Sequence, residues 1–328
     1  MAGGATVKAI VVTQVGGPDQ LALADAPAPS PGSDDLLVAV EAAGVNFIDV
    51  YHRIGLYPLQ TPFTPGVEGA GTVLSAGGEV TGLRPGDRVG WINVIGSYAE
   101  QVVVPAEKAI PIPDGMGTST VAALLLQGIT AHYLAIDTYP LQPGDRCLIH
   151  AGAGGVGLLL TQVAKLRGAE VFTTVGTEEK AALSRQAGAD HVIVYTRDDF
   201  REEVESIAGP RALDVVYDGV GAATFLPSLD LLRPRGLMVS FGNASGPVPE
   251  ISPLLLMSKG SLFLTRPTTA DYLQTREELM ARCHDLFEWI KQGSLQVRVG
   301  AEYPLAEAAE AQRALEGRMT TGKVLLRP

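Results

Sequence analysis

The sequence predicts an α/β protein whose middle forms a doubly wound parallel sheet, joined to a β-rich N-terminal portion. Three observations predict it. The apolar run Cys147-Leu148-Ile149 ends in the turn His150-Ala-Gly-Ala-Gly-Gly-Val-Gly157, and an apolar segment of helical length follows at 158–166. Strand-like and helix-like segments then alternate up to about residue 265. Before residue 118 the chain instead shows short strand candidates separated by Gly, Pro and Asp turns.

In chain order, strands are expected at 8–13, 35–42, 70–75, 87–91 and 98–104. Pro27, Pro29, Pro31 and Gly32 break the chain before the second of these. Such spacing suggests a small, partly open barrel, with no helix long enough to carry a parallel sheet before residue 118. A helix is expected over 118–136, and Pro143-Gly144-Asp145 launches the strand that ends in the glycine turn. Strands at 170–175, 191–195, 213–217, 236–240 and 261–265 then alternate with helices at 178–187, 198–207, 222–232 and just after Ser252. A long amphipathic helix over 271–292 and a strand–helix–strand tail (297–299, 305–316, 323–326) close the chain. Six strands already complete the sheet, so the tail is expected to return to the first portion. The expected division is therefore 1–126, 127–266 and 267–328.

The glycine turn carries the chemistry. Gly152, Gly154 and Gly157 have G-x-G-x-x-G spacing between a strand and a helix. One glycine permits the sharp turn, one lets a diphosphate approach bare backbone, and one lets helix and strand pack closely. Gly155, Val156 and Gly157 begin the helix, whose N–H groups face an anion. The second strand ends at Gly176-Thr177, where a chain selecting NAD usually places an acid. Glu178 and Glu179 lie close by, in the first turn of the next helix, where acids are ordinary. Lys180 follows, as a reader of a 2′-phosphate or as a solvated helix lysine. Tyr195 ends the third strand, as a cover for an adenine or as a core tyrosine.

Bulk properties narrow the class. Apolar residues make up 46% of 328, enough for sizeable cores, and no apolar run is expected to span a bilayer. The small, uncharged N-terminus leads directly into a strand, which gives no signal-peptide pattern. A net charge of −11 argues against nucleic acid as a partner. Cys147 and Cys283 are too few for a disulfide framework or a cysteine zinc site, and a reducing cytoplasm is expected.

The chain resembles the zeta-crystallin-like quinone oxidoreductases of the medium-chain dehydrogenase/reductase superfamily. The carriers are Ala43-Gly-Val-Asn-Phe-Ile-Asp49, Pro65-Gly-Val-Glu-Gly69, Gln127-Gly-Ile-Thr130, the 150–157 turn, Val175-Gly-Thr177, Gly236-Leu-Met-Val-Ser-Phe-Gly-Asn243, Leu264-Thr-Arg-Pro267 and Gly317-Arg318. The resemblance implies a GroES-like catalytic domain and NADPH as cofactor. It implies that Lys180, Tyr195 and Arg318 surround the 2′-phosphate. Thr130, Phe241, Gly242, Asn243 and Arg266 match positions at the nicotinamide and its ribose, and Gln127 stands where relatives often have lysine. Zinc-dependent relatives hold a metal where this chain has Asn46, Val67, Glu68 and the apolar 124–126 segment, so no metal is expected. The family suggests a homodimer through the cofactor domains, joined at Leu262-Phe263-Leu264.

Without a Lewis acid the substrate must accept hydride readily, as a quinone or an activated enone, enal or thioester does. Asn46, Asp49, Tyr51 and Tyr57 are the candidate substrate-side residues. Asn46 would donate to a carbonyl, and Tyr51 or Tyr57 would donate a proton or line a pocket. Asp49 reads more readily as a structural acceptor, and Arg53 as a solvated side chain. The alternative of another class is an NADPH-binding crystallin-like or RNA-binding protein with little turnover.

Overall fold

A computed structural model describes residues 5–328, which form two compact units. Of the described residues, unit 1 comprises those up to Leu126 with Val297–Pro328, and unit 2 comprises Gln127–Gln296. Unit 1 begins with an antiparallel pair, β1 (Thr6–Val11) and β2 (Ala22–Pro27). Then come β3 (Asp35–Val45), helix α1 (Phe47–Ile54), β4 (Glu68–Ala76), β5 (Arg88–Ile92), β6 (Gln101–Pro105) and β7 (Ile110–Pro111). Strand β3 is the hub. It pairs antiparallel with β4 and with β6, and its alternating Leu36, Val38 and Val40 point into the core around Trp91 and Tyr98.

Sequence reasoning did not foresee β2 or α1. Two turns of helix are short against a β-rich background. Helix α1 nevertheless has definite ends. The Asp49 carboxylate accepts from the Asn46 N–H at 2.8 Å, and Gly55 ends the helix at φ +80°.

Helix α2 (Thr118–Tyr133) continues into one π-type turn, Leu134–Thr138. This stretch, Thr118–Thr138, is long and apolar enough to cross a membrane by length and composition, contrary to expectation. Its best window is 78% buried within the protein, so core packing accounts for its apolarity.

Unit 2 then builds its sheet. The elements are β8 (Arg146–Ile149), α3 (Gly155–Leu166), β9 (Glu170–Val175), α4 (Glu178–Gln186), β10 (His191–Val194), α5 (Phe200–Ala208), β11 (Leu213–Asp218), α6 (Phe225–Leu229), β12 (Leu232–Ser240), α7 (Pro253–Ser258) and β13 (Phe263–Thr265). All six strands are parallel, in the order β10-β9-β8-β11-β12-β13. Phe172, Leu148, Val216 and Met238 lie side by side across four strands and anchor one core. The chain leaves β8 in both directions, so the strand order reverses between β8 and β11. In doubly wound sheets ligands bind at the carboxyl ends of strands beside such a reversal.

Helix α8 (Arg276–Lys291) was expected to belong to the returning tail, which instead joins unit 1 only at Val297. Side chains hold α8 and its approach on unit 2. His132 meets Asp285 at 3.0 Å, Arg282 bonds Asp137, and Tyr272 stacks on Tyr133 with centroids 4.3 Å apart. The return adds β14 (Val299–Pro304), α9 (Ala308–Glu316) and β15 (Lys323–Arg327). Strand β15 pairs antiparallel with β3, giving a sheet ordered β14-β15-β3-β4-β5-β7.

Candidate active site

In unit 2 the turn from β8 into α3 is shaped for backbone contact. Ala151 adopts φ +55°, and its carbonyl accepts from Gly154 N at 2.9 Å. Gly152 N bonds the Thr174 carbonyl at 3.0 Å, tying the turn to the end of β9. A Cβ on Gly152 would lie 2.6 Å from Thr173 Cβ. One on Gly157 would lie 2.9 Å from Gly152 Cα, so these glycines permit the close packing of helix and turn. The Gln127 amide occupies the space a Cβ of Gly155 would take. Gly154 caps α3 with no side-chain bond, so no cap side chain covers the first N–H groups of this twelve-residue helix, at Gly155, Val156 and Gly157.

The next two strand ends carry the expected discriminators. Thr177 caps α4, accepting from Lys180 N at 3.3 Å, and Lys180 lies one turn in, half-buried. A Cβ on Gly176 would lie 2.9 Å from the Tyr195 hydroxyl, so that ring rests against the Gly176 backbone. Tyr195 is 40% exposed, which makes it a strand-end surface ring and not a core tyrosine. Glu178 pairs with Arg197 at 2.8 Å and with Arg185 at 3.7 Å, as an exposed helix-start acid does. No carboxylate stands at the end of β9 itself, where Val175 is followed by Gly176-Thr177.

On the other side of the reversal, Asp218 ends β11 and shapes the loop after it. Its Oδ1 accepts from Val220 N at 2.7 Å, Gly221 N at 3.0 Å and Thr224 Oγ1 at 2.9 Å. Sequence reasoning missed this residue, though an acid followed by Gly-Val-Gly is a turn signature. Phe241 N bonds the Asp218 carbonyl at 2.8 Å, and the Phe241 ring covers Gly219. Arg266, just past β13, donates to the Gly242 carbonyl at 3.0 Å and to Ser240 Oγ at 3.2 Å. With the Asn243 amide oriented to satisfy its neighbours, its oxygen accepts from Arg266 at 3.0 Å. Thr130 is buried on α2. The ends of β8, β9, β10, β12 and β13 thus bear residues expected at a dinucleotide. His150 is packed between Thr174 Oγ1 (2.9 Å) and Ser228 Oγ (2.8 Å), and burial pushes its pKa down. Burial pushes the Cys147 and Cys283 thiols up, which leaves both inert.

Unit 1 holds the substrate-side candidates, and Asn46 among them makes other bonds than those expected. Both amide hydrogens of Asn46 are spent internally, on Glu68 Oε2 at 2.9 Å and the Gly44 carbonyl at 3.3 Å. Its oxygen accepts from Lys323 Nζ at 2.8 Å. Asn46 therefore serves a buried network and has no amide hydrogen left for a substrate carbonyl. Asp49 is fully buried, and its Oδ2 also accepts from the Tyr98 hydroxyl at 2.9 Å. Burial pushes the Asp49 pKa up to about 7. It is a structural acceptor at the start of α1. Tyr51 is buried, Tyr57 is 38% exposed, and their rings meet edge-on at 5.3 Å.

Arg53, expected to be solvated, is 1% exposed. It donates to Gln312 at 2.9 Å and forks onto Glu316 at 3.0 and 2.8 Å, fastening α1 to α9. Those partners lie more than 250 positions away in the chain, beyond any local pattern. Arg318 is exposed beyond the end of α9, at φ +57°.

Comparison with known proteins agrees with this architecture. The alcohol dehydrogenase GroES-like domain family matches residues 32–114, and the zinc-binding dehydrogenase family matches 155–282. A quinone oxidoreductase of Pseudomonas aeruginosa is 43% identical over 98% of this chain and 99% of its own. A 2-haloacrylate reductase of Burkholderia sp. is 40% identical over 98% and 99%. The crystal structure of Escherichia coli quinone oxidoreductase complexed with NADPH superposes with a TM-score of 0.96, at 41% identity over 98% and 100% of the two chains. A doubly wound parallel sheet, a GroES-like β unit and near full-length identity above 40% converge: the chain belongs to the quinone oxidoreductases of the medium-chain dehydrogenase/reductase superfamily.

Proposed function

We propose that this protein is an NADPH-dependent quinone reductase that works without a metal. The observation that carries the cofactor choice is the end of β9. Gly176-Thr177 stands where a ribose-binding acid would select NAD, and Lys180 follows one turn into α4. The glycine turn suits a diphosphate, because Gly152 and Gly157 let α3 pack closely and Gly154 leaves the start of α3 without a side-chain cap. The NADPH complex of the 41% identical Escherichia coli enzyme supports the same choice.

When bound, NADPH supplies a hydride from C4 of its nicotinamide. The protein's part is to hold and orient. The α3 N–H groups and the glycine turn would hold the diphosphate, Lys180 would bind the 2′-phosphate, and Tyr195 would bind the adenine. Thr130, Gly242, Asn243 and Arg266 fix the nicotinamide end, with Arg266 keeping the Gly242-Asn243 backbone in place. On the substrate side, Tyr51 and Tyr57 offer an aromatic wall and a phenolic proton. A quinone suits such a site, since its conjugated carbonyls spread the incoming charge and leave an aromatic ring.

The 40% identical 2-haloacrylate reductase favours a second reading, hydride addition to an activated alkene. A panel of quinones and electron-poor alkenes, assayed with purified protein and NADPH, separates the two. Quinones are expected to turn over fastest, and alkene turnover far above every quinone would overturn the quinone assignment.

The assembly is a homodimer through unit 2, in a cytoplasm that keeps both cysteines reduced. Edge strand β13 exposes Phe263 (60%) and Leu264 (39%), and α7 adds Leu254 (67%) and Met257 (62%). Leu262 turns into the core instead.

A further inference from the structure

Unit 1 buries a complete ion pair with no solvent contact. Glu68, at the start of β4, is 0% exposed, and Lys323, at the start of β15, is 1% exposed. The Lys323 ammonium bonds Glu68 Oε2 and, at 2.8 Å, Asn46 Oδ1. Asn46 Nδ2 returns to the same Glu68 oxygen at 2.9 Å, which closes a three-membered ring of bonds. The second Glu68 oxygen accepts from Leu126 N at 2.6 Å. Room for the ring comes from Gly44 on β3. A Cβ there would lie 2.6 Å from Lys323 Cε and 2.7 Å from its Nζ.

The matched zinc-binding dehydrogenase family implies a metal, and these residues do not fit one. Among the described residues no group of three His, Cys, Asp or Glu side chains could hold a metal ion. Glu68, the carboxylate that accepts from the Asn46 amide, is already paired with Lys323, while Asp49 accepts from the Asn46 N–H and the Tyr98 hydroxyl. An ammonium and a divalent ion cannot share one carboxylate oxygen at hydrogen-bonding distance, because like charges repel at close range in a dry interior.

We infer that the Lys323 ammonium is the resident cation of this pocket, standing in place of a metal and locking Asn46 and Glu68 in one orientation. Emptied of the Lys323 side chain, the pocket is a site for a small primary alkylammonium ion. Its ligands are a buried carboxylate and an amide oxygen, which suit N–H donors and are too few for a tetrahedral metal. This inference stands apart from the quinone assignment, since its readouts are stability and metal content.

The test is chemical rescue of Lys323→Ala by n-propylammonium, which matches the three carbons and the nitrogen removed beyond Cβ. Cofactor-free Lys323→Ala is expected to melt about 6–20 °C below the parent protein, as breaking a buried pair does. Propylammonium chloride should recover several degrees of this in a saturable way, while sodium or tetramethylammonium chloride at equal ionic strength does not. Equal effects of all three salts would overturn the inference. If Lys323→Ala does not fold under any of them, a cycle of Lys323→Met, Glu68→Gln and their double variant decides. A double variant more stable than the sum of the singles supports the resident cation, and additive losses refute it. Elemental analysis of the parent protein after exposure to zinc is expected to find no stoichiometric metal. One zinc per chain, lost in Glu68→Gln, would also refute it.

Discussion

Substituting asparagine for Asp49 should remove a pH dependence of stability that can be worked from its surroundings. Asp49 is wholly buried, and its Oδ1 has no hydrogen-bond partner among the described residues. Burial is the largest influence and raises the pKa from 3.8 to about 7, against the lowering effects of the Asn46 N–H, the Tyr98 hydroxyl and Lys323. The folded protein therefore holds a proton that the unfolded chain has released between about pH 4 and pH 7. Stability from this group is complete below pH 4 and is lost as pH rises through about 7. A difference of roughly three pKa units corresponds to about 4 kcal/mol as an upper bound. For a unit of this size that is roughly 8–16 °C in melting temperature at most. The substituted amide would keep a carbonyl for the Asn46 and Tyr98 donors and would not titrate. Thermal unfolding from pH 4 to pH 8, for both proteins, checks this. The parent should lose stability relative to Asp49→Asn as pH rises, and titrating groups remote from Asp49 cancel in the difference. Parallel curves would refute the argument that Asp49 is buried and protonated at mid-range pH.

Other substitutions probe the remaining parts. Lys180→Ala should weaken NADPH binding by about 1.5–3 kcal/mol, the range for a charged hydrogen bond, and leave NADH binding nearly unchanged. Fluorescence titration with both cofactors reads this directly, and equal losses would remove Lys180 from the 2′-phosphate. Gly157→Ala places a methyl against the Ala151 carbonyl and Gly152 Cα, so it should cost about 1–3 kcal/mol of stability and lower affinity for both cofactors. Unchanged melting and binding would show that the turn yields more easily than its geometry suggests. Phe263→Lys puts a charge on the exposed end of β13 and should convert the proposed dimer to monomer in sedimentation, with the melting point of unit 2 little changed. A sedimentation coefficient unaltered by that change would refute a dimer through β13.

Local signals revealed the cofactor unit and hid much of the other. The β8–α3 glycine turn, the strand ends at Gly176 and Tyr195, and the parallel sheet follow from period and punctuation along the chain, while Gly242 came from the resemblance. Unit 1 depends on pairings that no local pattern carries. Lys323 and Glu68 are 255 positions apart, and Arg53 and Glu316 are 263 apart. A lysine opening the strand Val324-Leu325-Leu326 gave one hint, since its burial follows from β15 lying between β3 and β14. Asn46 looked available because Glu68, which takes one of its donors, is brought beside it only by the folded sheet. Helix α8 looked like part of the return because its attachment to unit 2 is made by single side chains, not by backbone pairing.

Steady-state kinetics with NADPH and with NADH, against a simple benzoquinone or naphthoquinone and in the presence of a strong chelator, test the central claim most directly. Rapid quinone-dependent oxidation of NADPH is expected, with no decline on chelation. With NADH, kcat/KM should be at least about tenfold lower, as the absence of one charged hydrogen bond to the 2′-phosphate requires. Preference for NADH, or activity that vanishes on chelation and returns with added zinc, would contradict a metal-free NADPH-dependent quinone reductase.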